Sequence, residues 1–255
     1  MPLHGLGGYD TMYGIFLMPL LAATNGGTGL KFLEIGLGCD YRKHGRNPHA
    51  THAGSARLWR KVAPKAELWE AEYDGACVEA SRDLWRELNI NTLVGDQGNS
   101  SVLDSWLRQS GGQFDIVIDD GSHQNAHMLT SFNKLWPEVK PGGFYFIEDL
   151  HVGRHAGWDK TRGEAVMADV LHAWNEQLMM NAAYGARAGC FSRFKRAPPG
   201  SPECPDASAV NHVHAKQMRG RFPLPPEVAF VFCQPYACAV GKNLKEAQLS
   251  RHGAT

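Results

Sequence analysis

Lys31-Phe32-Leu33-Glu34-Ile35-Gly36-Leu37-Gly38 is a short apolar run that ends at two glycines. A run of this length, apolar on both sides and closed by turn residues, is the pattern of a buried parallel strand. The glycines permit backbone conformations and close approaches that a Cβ forbids. Outward from this segment, Phe114 to Ile118 and Phe144 to Ile147 read the same way. Ala66 to Ala71 and Asn91 to Val94 supply two weaker strands between the first pair. Helical spacings alternate with them. Ser55 to Val62 carries Leu58, Trp59 and Val62, and Cys77 to Leu88 carries Val78, Leu84, Trp85 and Leu88. Asn99 to Arg108 and His127 to Trp136 follow, the latter with Met128, Leu129, Phe132 and Leu135. The order βαβαβαβαβ calls for an α/β fold: a mostly parallel, Rossmann-like sheet with right-handed crossovers and helices on both faces.

The flanks complete the layout. Residues 1–30 are expected to be a helical segment packed on the sheet. Its apolar run, Tyr13 to Ala23, is too short to span a bilayer, follows no Lys or Arg, and contains Pro19, which should break it. An element so near the start is also compatible with a piece of a longer chain. Beyond Leu150, Glu164 to Asn181 reads as one helix with Val166, Met167, Val170, Leu171, Trp174 and Leu178 along one side. Residues 190–226 read as a loop insertion, since Arg193 to Pro226 is rich in Pro, Ser, Arg and His without periodicity. Val228 to Cys233 and Tyr236 to Val240, joined at Gln234-Pro235, predict a hairpin over 227–242 that adds an antiparallel strand. One domain is expected over 1–255, with its ligand-binding core at 31–150.

Composition narrows the function. The 255 residues carry 26 Lys+Arg against 26 Asp+Glu, a net charge of zero. That balance argues against a nucleic-acid partner, which would require a cationic face. With 43% hydrophobic residues the chain can bury a real core, so a disordered or fibrous class is excluded. Six cysteines (Cys39, Cys77, Cys190, Cys204, Cys233, Cys238) form no C-x-x-C pair. Reduced thiols in a cytoplasmic enzyme are the expectation, with a Cys190–Cys204 bridge as the alternative in an oxidising compartment.

In an open parallel sheet, ligands bind beyond the carboxyl ends of the strands, and here nearly every end carries acid or glycine. The first strand runs into Gly36-Leu37-Gly38-Cys39-Asp40 but does not complete G-x-G-x-x-G, because Tyr41 stands at the third glycine. A nicotinamide or flavin enzyme is disfavoured accordingly. Glu70-Ala71-Glu72-Tyr73-Asp74 closes the second strand, and Glu72 is placed to accept ribose hydroxyls; an acidic end facing solvent is the competing reading. Gly95-Asp96-Gln97 closes the third, where Asp96 can accept the amine of an adenine. Ile118-Asp119-Asp120-Gly121-Ser122-His123 and Ile147-Glu148-Asp149-Leu150 close the fourth and fifth. Four carboxylates at adjacent ends repel one another unless a hard cation, Mg²⁺ or Ca²⁺, lies between them. Helix capping is the competing reading there. His123, with an ordinary pKa of about 6.5, is the natural proton acceptor in the same cleft.

At these residues the chain resembles class I S-adenosylmethionine-dependent methyltransferases. Leu33-Glu34-Ile35-Gly36-Leu37-Gly38 is similar to their first motif and Pro141-Gly142-Gly143 to the turn before their fifth strand. The strand-end motifs at 95–97, 118–123 and 147–150 resemble the metal-dependent O-methyltransferases of macrolide sugars and the related cephalosporin-tailoring proteins. Residues 34–40 and 70–74 look like the fungal hard-surface-induced proteins. The resemblance spans about residues 9 to 150. It implies that Asp120, Glu148 and Asp149 hold Mg²⁺, that His123 is the general base, and that Glu34, Gly36, Gly38, Glu72, Asp96, Gln97 and Asp119 surround S-adenosylmethionine. The implied acceptor is a hydroxyl of a small molecule, a sugar or secondary metabolite, with no membrane span, no nucleic acid, and a homo-oligomer left open. The rival is a methyltransferase-like module that binds cofactor or partner without turnover.

Three smaller features stay with bland readings beside functional ones. His44, His49 and His52 share a loop with Lys43 and Arg46, expected to be solvated polar chain over the cofactor rather than a metal cluster. Tyr9, Tyr13 and Phe16 fit either a lid over the site or core packing. Arg193 to Arg221 fits a solvated loop, or one that closes on an anionic or hydroxylated acceptor.

Overall fold

The computed structural model describes residues 9–38, 53–155, 157–159, 165–179, 190–192, 195–197 and 221–244. In chain order the elements are α1 (Asp10–Ala23), β1 (Lys31–Ile35), α2 (Gly54–Val62), β2 (Glu67–Glu72), α3 (Gly75–Ala80), α4 (Arg82–Glu87), β3 (Ile90–Val94), α5 (Ser100–Ser110) and β4 (Phe114–Asp119). They continue with α6 (Asn125–Leu135), β5 (Val139–Ile147), α7 (Met167–Met179), β6 (Cys190–Ser192), β7 (Lys195–Ala197), β8 (Val228–Gln234) and β9 (Ala237–Lys242).

Seven strands form one sheet in the order β3-β2-β1-β4-β5-β9-β8. The first five are parallel, and β9 enters antiparallel between β5 and β8. The strand order reverses between β1 and β4, so a crevice opens there beyond the strand ends. Because the central strands are covered on both faces, they are largely apolar, with Glu34, Glu70 and Asp119 as buried exceptions, and their two faces feed two cores. On one face Leu33, Ile35, Val117, Tyr145 and Ile147 pack against Trp106 of α5, Phe132 of α6 and Trp174 of α7. On the other, Phe32, Leu68, Ile116, Ile118 and Phe146 meet Met12, Leu17 and Leu21 of α1 and Trp59 of α2. The expected hairpin is present, with its turn one residue later, at Pro235-Tyr236. Pro141-Gly142-Gly143 lies inside β5, where the register with β4 shifts.

Several expectations need correction. Pro19 does not break α1, which runs through it to Ala23. The bond it removes belongs to the carbonyl of Ile15, and both residues lie on the exposed side of the helix. The helix expected over 77–88 is two short ones meeting at Ser81, the first capped by Asp74, whose carboxylate accepts from the amides of Ala76 and Cys77. The expected reduced thiols are not found at Cys77, Cys233 and Cys238. Cys233 and Cys238 face each other across the β8–β9 ladder with Cα atoms 4.1 Å apart and form a disulfide. Cys77 is also disulfide-bonded, and no cysteine is free among the described residues. A spacing of five residues gave no hint of this, because cross-strand pairing depends on the register of the hairpin.

Residues 190–192 and 195–197 form a two-stranded antiparallel ladder. The rest of the expected 190–226 insertion up to residue 220, Cys204 included, lies outside the described residues, as does the loop bearing His44, His49 and His52. No helix among the described residues is long and apolar enough to cross a membrane.

Candidate active site

The crevice is assembled from the exits of β1, β4 and β5. Gly36 turns the chain out of β1 at φ 109°, a conformation L side chains rarely adopt. A Cβ there would come within 2.2 Å of the Asp120 carbonyl oxygen, so glycine lets the two exits touch. The contact is completed by the amide of Asp120, which donates to the carbonyl of Ile35 at 3.0 Å, and by that of Glu148, which donates to the carbonyl of Asp119 at 3.0 Å.

Adjacent carboxylates leave this floor in opposite directions, as strand alternation requires. Asp119 turns into the α6 side and is buried. It accepts from Gln97 Nε2 at 2.8 Å through Oδ1, and from the hydroxyls of Ser131 and Tyr145 through Oδ2. Gln97 uses its own carbonyl to hold the amide of Ser122 at 2.7 Å, tying the third strand's exit to the fourth's. Asp120 faces the crevice. Burial first, then the charges of Glu148, Glu34 and Asp149, pushes its carboxyl well above the usual range.

Asp120, His123 and Asp149 converge, with ligand atoms all within 4.8 Å of one another. Nε2 of His123 lies 3.9 Å from Asp120 Oδ1 and 3.9 Å from Asp149 Oδ2. Its Nδ1 is buried with no hydrogen-bond partner. Burial lowers the imidazole pKa against the pull of Asp149 and Asp119, which favours the neutral ring. Both His123 (φ 54°) and Asp149 (φ 51°) adopt left-handed backbone, the kind of strain that concentrates at functional sites. Glu148, expected in the same cluster, is buried beside it and accepts a hydrogen bond from the Tyr13 hydroxyl through Oε1. Burial lifts Glu148 to about 8, against the Tyr13 hydrogen bond, with Glu34 and Asp149 adding to the rise.

The remaining expected residues line the approach. Glu34 is buried against Glu70 on β2, its in-register neighbour. Glu72 bridges two loops by accepting from the amide of Leu37 at 3.1 Å and from that of Asp74 at 2.9 Å. Asp96 accepts from the amide of Gly98 at 2.8 Å and lies 3.8 Å from His127 Nδ1. Gly38, at φ 68°, is the last described residue before the loop that follows β1. Reading the sequence missed Tyr9 and Tyr13 as partners of the acids, although both tyrosines stood out. Phe16, grouped with them, packs among Phe144, Phe230 and Phe232 and belongs to the core.

No family model matches the chain. It is 39% identical over 137 residues to mycinamicin VI 2''-O-methyltransferase of Micromonospora griseorubida, covering 53% of this chain and 30% of that protein. It is 38% identical over 121 residues to demethylmacrocin O-methyltransferase of Streptomyces fradiae, covering 48% and 27%. The matched stretch therefore spans about a third or less of the length of these relatives. The structure of the MycE methyltransferase from the mycinamycin biosynthetic pathway, in complex with Mg and SAH, superposes with a TM-score of 0.60 at 23% identity, covering 95% of this chain and 51% of that one. Its complex that also contains mycinamycin VI gives 0.59 at 24%, covering 96% and 52%. The fold is that of the class I methyltransferases. At the carboxyl ends of the parallel strands, the described residues place Glu72 and Asp96 at the exits of β2 and β3 and Asp120, His123 and Asp149 at those of β4 and β5.

Proposed function

We propose that the chain is an S-adenosylmethionine-dependent O-methyltransferase assisted by a divalent cation, acting on a hydroxyl of a sugar or a related small molecule. The observation that carries this reading is the convergence of Asp120, His123 and Asp149 at the exits of β4 and β5. The donor set suits a hard cation: converging carboxylate oxygens of Asp120 and Asp149, with the Asp120 carboxyl crowded by further acids. The relatives whose names specify O-methyl transfer to mycinamicin VI and to a rhamnosyl tetracenomycin support the acceptor class.

Asp120 and Asp149 would hold the cation, with Glu148 adjoining, and a bound cation would lower the pKa of an acceptor hydroxyl and screen the oxyanion. His123, its neutral form favoured by burial, is positioned to take the hydroxyl proton on Nε2. The electron pair left on the acceptor oxygen forms the new bond to the methyl carbon, and the bond from that carbon to the sulfonium sulfur breaks. Glu34, Gly36, Gly38, Glu72, Asp96 and Gln97 would surround the methyl donor, with Glu72 on the ribose. Asp119 would contribute by bracing this wall, since both its carboxylate oxygens are already engaged. The balanced charge favours a small-molecule acceptor over nucleic acid. A cytoplasmic setting accords less well with the disulfides than with reduced thiols.

Calorimetry with S-adenosylmethionine and with NAD, followed by turnover on a glycoside with and without chelator, tests the reading. Binding of the sulfonium donor and chelator-sensitive methyl transfer are expected, and Asp120→Ala should abolish transfer while retaining cofactor binding. Binding of NAD alone would end the methyltransferase reading. Donor binding without transfer to any hydroxyl acceptor would favour the non-catalytic module.

A further inference from the structure

The two hydroxyls that α1 carries to the strand ends reach over 140 and 135 residues of sequence to do so. Tyr9, at the N-cap of α1, donates to Asp149 Oδ1, and the same oxygen of Tyr9 accepts from the Asp149 amide at 3.3 Å. It thus grips both the side chain and the left-handed backbone of that residue. Held by Oδ1, Asp149 turns its other oxygen, Oδ2, toward His123. Four residues along the helix, one turn on, Tyr13 donates to Glu148 Oε1, and its ring is wedged between Trp59 at 5.2 Å and Phe146 at 4.9 Å. The helix is itself anchored from the far edge of the sheet, where Gln234 Oε1 accepts from the amide of Met12 at 2.8 Å. Nothing in core packing requires these hydroxyls; phenylalanine would fill the same volume.

We propose that Tyr9 and Tyr13 are positioning residues of the cation site. Each fixes one oxygen of a strand-end carboxylate, and in Asp149 this presents the other oxygen to the cluster. Donors of this kind orient ligands and commonly change metal affinity about 10- to 100-fold when removed. The inference rests on the cation-assisted reading above and adds α1 to the machinery of the site.

The test uses the whole chain and Mn²⁺ as a spectroscopic probe, titrated by electron paramagnetic resonance, with Mg²⁺ by competition. Tyr9→Phe and Tyr13→Phe should each weaken cation binding about 10-fold or more and leave the dissociation constant for S-adenosylhomocysteine unchanged. Phe16→Leu, which loosens α1 without touching the acids, should lower thermal stability and leave cation affinity as it was. Wild-type affinity in Tyr9→Phe overturns the proposal. So does an equal loss of cation affinity in Phe16→Leu, because the hydroxyls would then matter only through helix packing. A wild-type chain that binds no divalent cation would sink the cation-assisted function itself, and this inference with it, and is told apart by that titration alone.

Discussion

Glu34 on β1 and Glu70 on β2 sit side by side in register, both buried, each with an Oε2 that has no hydrogen-bond partner. Burial raises both pKa values, and the charge of Glu34 raises Glu70 further, while a hydrogen bond from Glu70 opposes the rise in Glu34. The pair therefore resists ionising twice. Two bare carboxylates at this place would face each other in a dry core, and a shared proton avoids it.

The stability consequence has a definite sign. A carboxyl whose pKa is raised on folding stabilises the native state fully below its unfolded value, about 4.3, and loses that contribution as pH rises through the folded value. Glu70→Gln cannot ionise, so the variant should gain on the wild type as pH increases. In calorimetric melts of the cation-free protein, a Tm advantage of about 2–4 °C at pH 8.5 is expected, shrinking toward pH 5. A difference independent of pH would contradict the shared proton.

Burial and neighbouring acids hold the Asp120 carboxyl well above the carboxylate range and lift Glu148 to about 8, so a cation bound here competes with protons. Divalent-cation affinity should accordingly rise with pH between about 6 and 9. Titration calorimetry in two buffers of different ionisation enthalpy should record proton release on binding at pH 7. Heats that do not depend on the buffer would show that these carboxyls are already ionised.

Gly36 should tolerate no side chain. Gly36→Ala sets a Cβ against the Asp120 carbonyl and forces alanine to φ 109°. A loss of about 1–3 kcal/mol in denaturant unfolding is expected, together with weaker cation binding as Asp120 shifts. Wild-type values for both would mean the β1 and β4 exits can separate freely.

The Cys233–Cys238 disulfide closes a short hairpin whose turn accepts the Leu150 amide on the Tyr236 carbonyl at 2.8 Å, next to Asp149. His151 also packs on the Tyr236 ring at 4.3 Å. Replacing both cysteines by serine should cost about 2 kcal/mol from the freed short loop. Amide exchange at Leu150 should accelerate as well. Unchanged exchange there would show that the turn holds without the bridge.

Much of this was legible residue by residue. Phe32, Leu33 and Ile35 are apolar because both faces of a central parallel strand are covered, and Gly36 follows because the next strand's exit touches it. The acids at 119–120 and 148–149 marked the crevice for a similar reason: in this sheet, whatever follows the last buried residue points at the ligand edge. Asp119 shows where that logic stops. Its neighbour Asp120 has the same residue type and the same place at the strand end, yet alternation sends one carboxylate into a hydrogen-bonded pocket and the other into the cluster.

What the sequence determined alone was the parallel α/β sheet, its hairpin edge and the end at which chemistry would gather, because apolar runs, glycine turns and strand-end acids are local signals with a fixed period. Only the tertiary structure decided that Asp149 and Glu148 are held by the hydroxyls of Tyr9 and Tyr13, that Asp119 is drawn away from the cluster, and that Glu70 shares its burial with Glu34. Those pairings depend on how α1 folds back across the sheet and on the register between strands, and neither is encoded in the spacing of neighbouring residues.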